Sequence, residues 1–575
     1  MAGGLLNLVA YGNQNIILNG NPSKTFFKAT YAKYTNFGLQ KFRIDFVGQR
    51  NLRLTESSVF EFSIPRYGDL LMDTYMVVNL PTIWSPVMPP QNRNSELTDP
   101  ILNEWQPYEF RWIDNIGTQM IESVKFTVGG ATIQEFTGQY LNCLMERDFN
   151  GTKKSLYYEM TGNVPELNNP AYGFGRQGIY PSAFYGGTNC DAPATGIDYA
   201  KTYDQLGSEP SIRGRQLYVP LNIWFTMAAK MAFPLVALQY AELKIELSLR
   251  PVQDLFTVSE IYLKGDNTLN KTIRNYIKPN FNDPRYQFYR FLQSPPAVEI
   301  DSTNAYDDKR TIWNADIHLI STFAFITDDE VRKFALEPQK YIVKQAYTTV
   351  FDNIVGSKKV DLKSLGLVSN WMWFMQRSDV SLRNQWSNYT NWSYSEPPFP
   401  PMIADDSTCS GVVDSTNVSL FPDSQLFNTG PYDALNTRDI MDTWAIVLDG
   451  KYRENQFSRG VVDYVEKYVR TLGSAPSGIY CYNFALQSDI TECQPSGAIN
   501  MSKFSTVEME ITTIQPSLNA NFQFTAIRAP NTNEIVATQV PRSGIYNFQY
   551  NMVLMEERYN ILSIQNGTAG LEFAR

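Results

Sequence analysis

Hydrophobic and polar residues alternate with a period of two along much of this chain. The segments FRIDF (residues 42–46) and FEFSI (residues 60–64) place a hydrophobic residue at every second position. Successive side chains of a β-strand point to opposite faces of the sheet, so each segment predicts a half-buried strand. Gly and Pro recur too often for many long helices, and the 34 Tyr and 34 Phe residues suit pleated surfaces. The pattern therefore predicts an all-β fold.

A pair of glycines marks a predicted β-hairpin. In the segment VKFTVGGATIQEF (residues 124–136), Gly129 and Gly130 separate two alternating runs. Adjacent glycines supply the positive φ angles that a tight hairpin turn requires. We therefore expect at least part of the sheet to be antiparallel.

One helix is predicted near the middle of the chain. The residues TDDE (327–330) form a capping box, and the residues after them give a partial apolar face at Val331, Phe334 and Leu336. Pro338 ends the pattern, because proline cannot continue a helix. A single capped helix within an all-β chain predicts a connector between two domains.

A second, short helix is predicted close to the N-terminus, in NPSKTFFKATYAKYTNF (residues 21–37). Phe27, Tyr31 and Tyr34 follow the i, i+4, i+7 spacing of one helix face, with Asn21 as N-cap and Pro22 at the first helical position. This spacing predicts an amphipathic helix whose aromatic face packs against the rest of the protein.

A weak internal echo suggests that the architecture is duplicated. YVPLNIWF (218–225) followed by AELKIELSL (241–249) has the layout of YCYNFAL (480–486) followed by TVEMEIT (506–512). Residue identity between the two pairs is low. The echo therefore indicates a repeated arrangement of strands rather than a sequence repeat.

Two long stretches, about 146–214 and 378–437, are rich in Gly, Asn, Ser, Pro and aromatic residues. Their aromatic content favours loops packed on themselves, because a solvated linker has little use for aromatic side chains. We expect them to project from the sandwich as towers. The second stretch contains three N-x-S/T sequons, which makes Asn388, Asn391 and Asn417 candidate glycosylation sites.

Composition and charge exclude several classes of protein. Of the 575 residues, 43% are hydrophobic and 19% are charged, which excludes a disordered chain. The net charge of -9 comes with no basic block, so direct nucleic-acid binding is not expected. The five scattered cysteines lack CxxC spacing and are interpreted as free thiols. No secretory signal, membrane-spanning run or myristoylation site is predicted.

The candidate catalytic and metal-binding residues lack the neighbouring sequence motifs that a catalytic or metal site requires. The single histidine, His318, lies in an apparent strand without a nucleophile motif, which favours a structural role. The acidic clusters at 328–330 and 405–406 lack EF-hand spacing, and the first is explained by the start of a helix. No phosphate-binding loop is present. The sequence therefore predicts no catalytic, cofactor-binding or metal-binding residue, and no enzyme.

Two alternatives remain open at this point. A glycosidase needs only two carboxylates at a suitable separation in space, which a sequence does not exclude. A glycan-binding attachment protein could use the aromatic loop 384–394, with Trp386 and Trp392 as a stacking platform. Packing of this loop on itself is the favoured interpretation of the same residues.

Six segments, in order along nearly the whole chain, resemble the major capsid proteins of nucleocytoplasmic large DNA viruses. They are TFFKATYAKYTNF (25–37), FSIPRYGDLLMDTYMVVNLP (62–81), WIDNIGTQMIESVKFTVGGATIQEFTGQYL (112–141), TDDEVRKFALEPQKYIVKQ (327–345), FALQSDITECQPSGAINMSKF (484–504) and YNILSIQNGTAGLEFA (559–574). The start GGLLNLVAYGNQNIILNG (3–20) is most similar to the mimivirus-like branch.

The resemblance implies two consecutive eight-stranded jelly-roll β-sandwiches with long surface loops and a short inter-domain helix. The implied division is an N-terminal arm (1–24), a first jelly roll (25–327), a linker helix (328–339) and a second jelly roll (340–575). The aromatic segment at 25–37 would then pack at the entrance to the first sandwich. The two long loops would form an outward crown.

The resemblance also implies a function without catalysis or cofactor. Three chains would form a pseudo-hexagonal capsomer, and capsomers would tile an icosahedral virion shell assembled in the host cytoplasm. The implied partners are other copies of the chain and minor capsid proteins. The N-terminal arm is also a candidate for contact with an internal virion membrane.

Overall fold

The fold is described from a computed structural model over residues 3–48, 51–88, 106–176, 178–183, 209–259, 276–295, 306–395, 402–403, 427–428, 437–519, 525–528, 535–539 and 545–573. In these ranges the chain forms two β-sandwiches that follow each other in sequence. Each sandwich consists of two sheets whose strands pair antiparallel. The all-β prediction is confirmed.

Eight strands build the first sandwich. They are β1 (Gly38–Ile44), β2 (Ser58–Ser63), β3 (Leu70–Leu80), β4 (Ile121–Val128), β5 (Ala131–Phe136), β6 (Arg215–Pro220), β7 (Leu243–Leu249) and β8 (His318–Phe325). One sheet has the order β1-β8-β3-β6 and the other β2-β7-β4-β5. This is the strand order of a jelly roll.

Eight further strands build the second sandwich. They are β9 (Gln339–Ile354), β10 (Ser357–Asp361), β11 (Leu367–Arg377), β12 (Met441–Leu448), β13 (Lys451–Ser458), β14 (Ile479–Asn483), β15 (Val507–Thr513) and β16 (Tyr550–Gln565). The sheet orders β9-β16-β11-β14 and β10-β15-β12-β13 repeat those of the first sandwich strand for strand. The weak sequence echo is therefore confirmed, since it covers the sixth and seventh strands of both sandwiches.

Shorter strands extend these sheets or form small pairs beside them. They are Val87–Met88, Gln106–Pro107, Phe110–Trp112, Phe233–Pro234, Phe256–Ser259, Tyr276–Ile277, Met402–Ile403, Phe427–Asn428, Ile499–Asn500, Thr525–Arg528, Ile535–Gln539 and Thr568–Leu571.

The α-helices in the described ranges are short. They are α1 (Gly3–Val9), α2 (Ile16–Asn19), α3 (Ile116–Gln119), α4 (Gly138–Asp148), α5 (Gly151–Thr161), α6 (Pro165–Asn168), α7 (Asp328–Leu336) and α8 (Glu466–Arg470). The predicted connector is α7, which lies between β8 and β9. Its N-cap residue Thr327 donates a side-chain hydrogen bond, 3.2 Å long, to the side chain of Glu330. The Thr327 side chain makes no hydrogen bond to the helix backbone, so the predicted capping box does not form in full. None of the described helices is long and apolar enough to cross a membrane.

The hairpin prediction at Gly129 and Gly130 is confirmed. The two glycines join β4 to β5 with φ angles of 57° and 85°. L-residues rarely adopt this left-handed region, so the turn requires glycine.

The prediction of a helix at residues 22–34 is wrong. Residues 21–37 contain no helix, and Asn21 has a φ of 50° instead of the extended conformation of an N-cap. The aromatic side chains are exposed to solvent, with Phe27 at 99%. A helix of this length is marginal in water unless one face packs against the protein, and within one chain nothing covers this face in the described ranges.

The described parts of the two long loops include residues that pack on the sandwiches, such as Tyr157 and Leu167. The first stretch starts at the end of α4 and contains α5 and α6. The second stretch follows β11 and reaches the interface between the two sandwiches. Residues 184–208, 404–426 and 429–436 lie outside the described ranges. The crown prediction therefore falls in part on residues without a structural description, and it stays a prediction.

Candidate functional site: the interface between the two sandwiches

The second sandwich presents an apolar sheet face to the first. Along β11, Trp371 and Trp373 point into the core of the second sandwich, whereas Met372 and Phe374 join the core cluster of the first. β16 divides its side chains in the same way. Both faces of these strands are buried, which explains why the segment WMWFM (residues 371–375) is continuously hydrophobic instead of alternating.

Helix α4 forms the side of the first sandwich that meets this face. Its N-cap Thr137 accepts a hydrogen bond from the backbone of Tyr140, 3.3 Å long. Its first residue, Gly138, lies so close to the end of α3 that a Cβ atom there would be 2.0 Å from the carbonyl oxygen of Thr118. Only glycine fits at this point, and the close approach determines where α4 enters the interface.

Polar side chains from both sandwiches meet in the middle of the apolar interface. Arg147 of α4 donates hydrogen bonds to Asp148 (2.6 Å), to Glu557 of β16 (2.8 Å) and to Asn370 of β11 (3.0 Å). The side chains of Arg147, Asp148 and Glu557 are almost completely buried. We call this group, together with Tyr140, Lys344 and Ser488, the interface cluster.

The remaining members complete the hydrogen bonding of the carboxylates. Tyr140 donates to Glu557 (3.0 Å), and the ammonium group of Lys344 lies 3.5 Å from the same carboxylate. The hydroxyl of Ser488 donates to Asp148 (2.6 Å). Buried charges are tolerated when they are paired and hydrogen-bonded in this way.

The charges of the cluster shift the pKa values of its members. Burial alone would raise the pKa of Glu557, but the positive charges of Arg147 and Lys344 outweigh burial and lower the pKa to about 2. Burial raises the pKa of Asp148, although Arg147 opposes this shift. Burial and the charge of Glu557 raise the pKa of Tyr140. Glu557 therefore remains ionised at neutral pH, opposite Arg147.

Side-chain to backbone hydrogen bonds connect the neighbouring strands of the two sandwiches. Gln134 of β5 donates to the carbonyl oxygen of Lys344 in β9, 3.1 Å away. Gln345 of β9 donates in return to the carbonyl oxygen of Ile133 in β5, 2.5 Å away. These reciprocal bonds fix the position of one sandwich relative to the other.

The start of the second long loop acts as a clamp on the first sandwich. Trp386 donates its indole N–H to the carbonyl oxygen of Asp254 (3.0 Å), and the guanidinium of Arg250 covers the indole ring at 4.0 Å. Asn384 donates to the carbonyl oxygens of Gln253 and Phe256. The Trp386 ring is therefore engaged within the protein and does not present the stacking platform that the glycan-binding alternative requires.

The candidate glycosylation sites fall in different environments. Asn388 and Asn391 are buried, and their amide groups donate to the carbonyl oxygens of Trp392 and Thr437, each at 3.0 Å. A glycan on either amide nitrogen would have to displace these contacts. Asn417 lies outside the described residues. Glycosylation at these three sequons stays a prediction.

His318 and the cysteines occupy structural positions. His318 is buried in β8, and its Nδ1 atom lies 2.6 Å from the carbonyl oxygen of Asp316. Cys143, Cys481 and Cys493 are free thiols, as predicted, whereas Cys190 and Cys409 lie outside the described residues.

Burial raises the pKa of the Cys143 thiol, and it raises that of Cys481 to about 11. Both thiols therefore stay protonated at neutral pH. Among the described residues, no group of three or more His, Cys, Asp or Glu side chains could hold a metal ion.

Sequence reasoning missed the interface cluster, although the sequence contains a signal for it. Charged residues interrupt a run that is otherwise hydrophobic on both faces, in MVLMEERY (residues 552–559). A charge at a position that the pattern assigns to a buried face predicts a buried ionic partner. That partner, Arg147, lies 410 residues away in the sequence. No local sequence pattern identifies it.

Two family models match the chain. Residues 25–281 match the family described as "Major capsid protein N-terminus", and residues 330–570 match that described as "Large eukaryotic DNA virus major capsid protein". The major capsid protein of Phaeocystis pouchetii virus is 26% identical over 627 residues, with 100% of both chains covered.

Solved structures agree with the fold. The Faustovirus major capsid protein superposes with a TM-score of 0.58 at 13% identity, covering 94% of this chain and 93% of that one. A chain of the PBCV-1 virus capsid gives a TM-score of 0.56 at 18% identity, covering 96% and 100%. At these identities the likeness establishes the arrangement of two successive jelly rolls.

Proposed function

This chain belongs to the major capsid proteins of large eukaryotic DNA viruses, and we propose that three copies of it form one capsomer of an icosahedral virion shell. The observation that carries this proposal is the repeated strand order of the two sandwiches, which share one continuous hydrophobic core cluster at their interface. Three copies of two similar sandwiches give six similar lobes, and a block with six lobes can tile a shell.

The jelly roll suits this role for a second physical reason. Its strands lie in two packed sheets with few free edges, which limits uncontrolled pairing between many identical copies. No observation on the described residues favours catalysis, and the capsomer needs none. We propose that the protein acts in the shell of the virion, and that its assembly takes place in the host cytoplasm.

The molar mass of the purified full-length protein tests the trimer. Size exclusion coupled to light scattering should give about three times 65.6 kDa. Electron microscopy of the same fraction should show a near-hexagonal outline. A monomer that persists at high concentration would contradict the proposal.

We also infer the domain division given by the sequence: an arm at 1–24, jelly rolls at 25–327 and 340–575, and a linker helix at 328–339. In support, the first sandwich ends with β8 at Phe325 and the second begins with β9 at Gln339. We place the long loops, about 146–214 and 378–437, on the outer surface of the shell. Protease treatment of assembled particles should cut within them, and protection of both would contradict this placement.

The N-terminal arm is a candidate contact to neighbouring capsomers, minor capsid proteins or an internal membrane. Its support is that Leu5, Leu8, Ile17 and Leu18 are exposed on the isolated chain, where exposed apolar side chains usually mark an interaction site. Deletion of residues 2–20 should leave trimers intact and impair assembly of the shell. Normal shells from the truncated protein would contradict this role.

A further inference from the structure

A cleft lies between the two sandwiches, next to the interface cluster. It contains about 520 Å³ of space that protein atoms do not fill, part of it open to solvent. The first sandwich contributes one wall, with Leu144 of α4 and Trp224 from the connection between β6 and β7. The second sandwich contributes the other wall, with Ile342 of β9 and Tyr559 of β16. Any molecule that occupies the cleft therefore contacts both sandwiches.

Most side chains that line the cleft are apolar. Leu144 and Ile490 are buried, whereas Met227 and Met231 are half-buried. Apolar walls with a small number of polar groups are typical of sites that bind small molecules. The unbranched methionine side chains can change conformation to admit a ligand, because each rotates about three bonds.

Two side chains of the cleft have hydrogen-bond donors without an acceptor. The Nδ2 group of Asn222 and the Nε1 group of Trp224 are buried and have no partner in the described part of the chain. Gln134, in contrast, uses both ends of its amide, since it donates to Lys344 and accepts from the backbone of Trp224. A buried donor without an acceptor costs free energy, which an added acceptor recovers. The cleft therefore favours a ligand that brings an acceptor oxygen.

The charges around the cleft favour a neutral ligand. The ammonium group of Lys344 lies 3.5 Å from the carboxylate of Glu557, and Arg147 pairs with Asp148 behind it. Glu492 adds an exposed negative charge to the cleft wall. An anion would bring a further, unbalanced negative charge to this site, and burial of such a charge is costly. A cation would offer no acceptor to the two N–H groups.

We propose that this cleft binds a small neutral molecule with an apolar body and a carbonyl oxygen. The oxygen accepts hydrogen bonds from Asn222 and Trp224, and the apolar body lies against Leu144, Met227 and Ile342. Because both walls hold the ligand, its binding stabilises the folded chain with the two sandwiches in contact. The site lies within one chain and does not depend on the proposed trimer.

Three compounds with the same cyclohexane ring test the ligand chemistry on the full-length protein. Cyclohexanone is neutral and has a carbonyl oxygen, cyclohexanecarboxylate is an anion and cyclohexylammonium is a cation. Each is titrated while the nitrogen-15 signals of the tryptophan indole groups are recorded, and the Trp224 signal is assigned by its loss in Trp224→Phe. Cyclohexanone should shift the proton of this group downfield, because the N–H gains an acceptor. It should bind at least about tenfold more tightly than either charged compound.

Trp224→Phe tests the hydrogen bond itself. Saturation-transfer measurements on the ligand should show cyclohexanone binding weakened by about fivefold, because the variant keeps an aromatic ring and loses the donor. Trp444→Phe is the matched control. The indole N–H of Trp444 is also buried without a partner in the described chain, but it lies in the core of the second sandwich, so this change should leave binding unaltered. Far-ultraviolet circular dichroism and the thermal midpoint establish that both variants fold.

Cys493 provides an independent test of the location. Its thiol is exposed and belongs to the cleft wall, so a bulky maleimide attached to it should block the cleft. The modified wild-type protein should lose cyclohexanone binding, whereas Cys493→Ser treated in the same way should keep it. A Trp224 signal that cyclohexanone does not shift, or binding that survives the modification, would overturn the site. Tighter binding of either charged compound would overturn the assignment of a neutral ligand.

Discussion

At the scale of single residues, Glu557 fixes the position of one sandwich relative to the other. Its carboxylate carries a full negative charge inside an apolar interface, balanced by Arg147 and Lys344. A buried ion pair adds little net stability compared with an apolar replacement, but removing one partner leaves the other charge uncompensated. The pair therefore fixes the relative position of the sandwiches more than it strengthens their contact.

Glu557→Gln should lower the free energy of unfolding by about 3–5 kcal/mol at pH 7, because Arg147 and Lys344 lose the charge that balances them. The folded pKa of Glu557, about 2, lies below its ordinary value of 4.5. Its stabilisation is therefore fully present above pH 4.5 and is lost as the pH falls towards 2. Denaturant unfolding at pH 7 and pH 3 should show that the variant loses this part of the acid sensitivity.

Glu508→Gln is the control for this experiment. Glu508 pairs with Lys359 at 2.7 Å on the partly exposed surface of the second sandwich. Because exposed ion pairs contribute little, this change should cost less than about 1 kcal/mol. Equal losses from both variants would contradict the role assigned to Glu557.

Gly138→Ala tests the close approach of α3 and α4. A Cβ atom at this position would lie 2.0 Å from the carbonyl oxygen of Thr118, so the backbone has to move. We expect a loss of about 3 kcal/mol, at the upper end for overpacking. Gly151→Ala is a matched control, since Gly151 is also the first residue of a capped 11-residue helix and a Cβ there meets nothing within 4 Å. The thermal unfolding midpoint of Gly138→Ala should be lower than that of Gly151→Ala. Similar midpoints for the two variants would contradict the requirement for glycine at position 138.

At the scale of elements, local patterns predict those parts of the fold that local forces determine. The hairpin at Gly129 and the helix that begins after Thr327, with three acidic residues in its first turn, both follow from a few neighbouring residues. The alternating segments become β1 and β2, in which the alternate hydrophobic residues Phe42, Ile44, Phe60 and Phe62 are buried or half-buried. β11 and β16 do not alternate, because the second face of each is buried by a different sandwich.

The N-terminal segment shows the opposite case. Its aromatic spacing has helical periodicity, but α-helical stability in proteins comes mainly from packing of the apolar face. Within the described chain no surface covers Phe27 or Tyr31, and residues 21–37 stay irregular. A periodic pattern predicts a helix only together with its packing partner, which sequence alone does not supply.

Trp386→Ala tests the clamp at the element scale. The change removes the ring that Arg250 covers and the hydrogen bond to Asp254. We expect the free energy of unfolding to fall by about 3 kcal/mol. Hydrogen exchange should accelerate in residues 380–394. Leu382→Ala is the control, because Leu382 is exposed in the same loop, and equal exchange in the two variants would contradict a clamp.

At the scale of the whole molecule, the two sandwiches share part of one hydrophobic core. Met372, Phe374, Val553 and Met555 belong to the second sandwich by sequence and to the core cluster of the first by contact. Separating the sandwiches would expose this apolar face together with the interface cluster. The chain is thus a rigid two-lobed unit, as a block that tiles a shell requires.

This continuity predicts that the sandwiches unfold together. β4 and β12 lie in the cores of the first and second sandwich. Because loss of either core uncovers the shared face, native-state hydrogen exchange should give the same opening free energy for both strands. Increasing denaturant should lower the two values in parallel. The exposed residues 25–37 are the internal control and should exchange at once. If β12 stays protected under conditions in which β4 has opened, the interface would be a contact between independent domains, and its rigidity would have to come from the neighbouring copies in the capsomer.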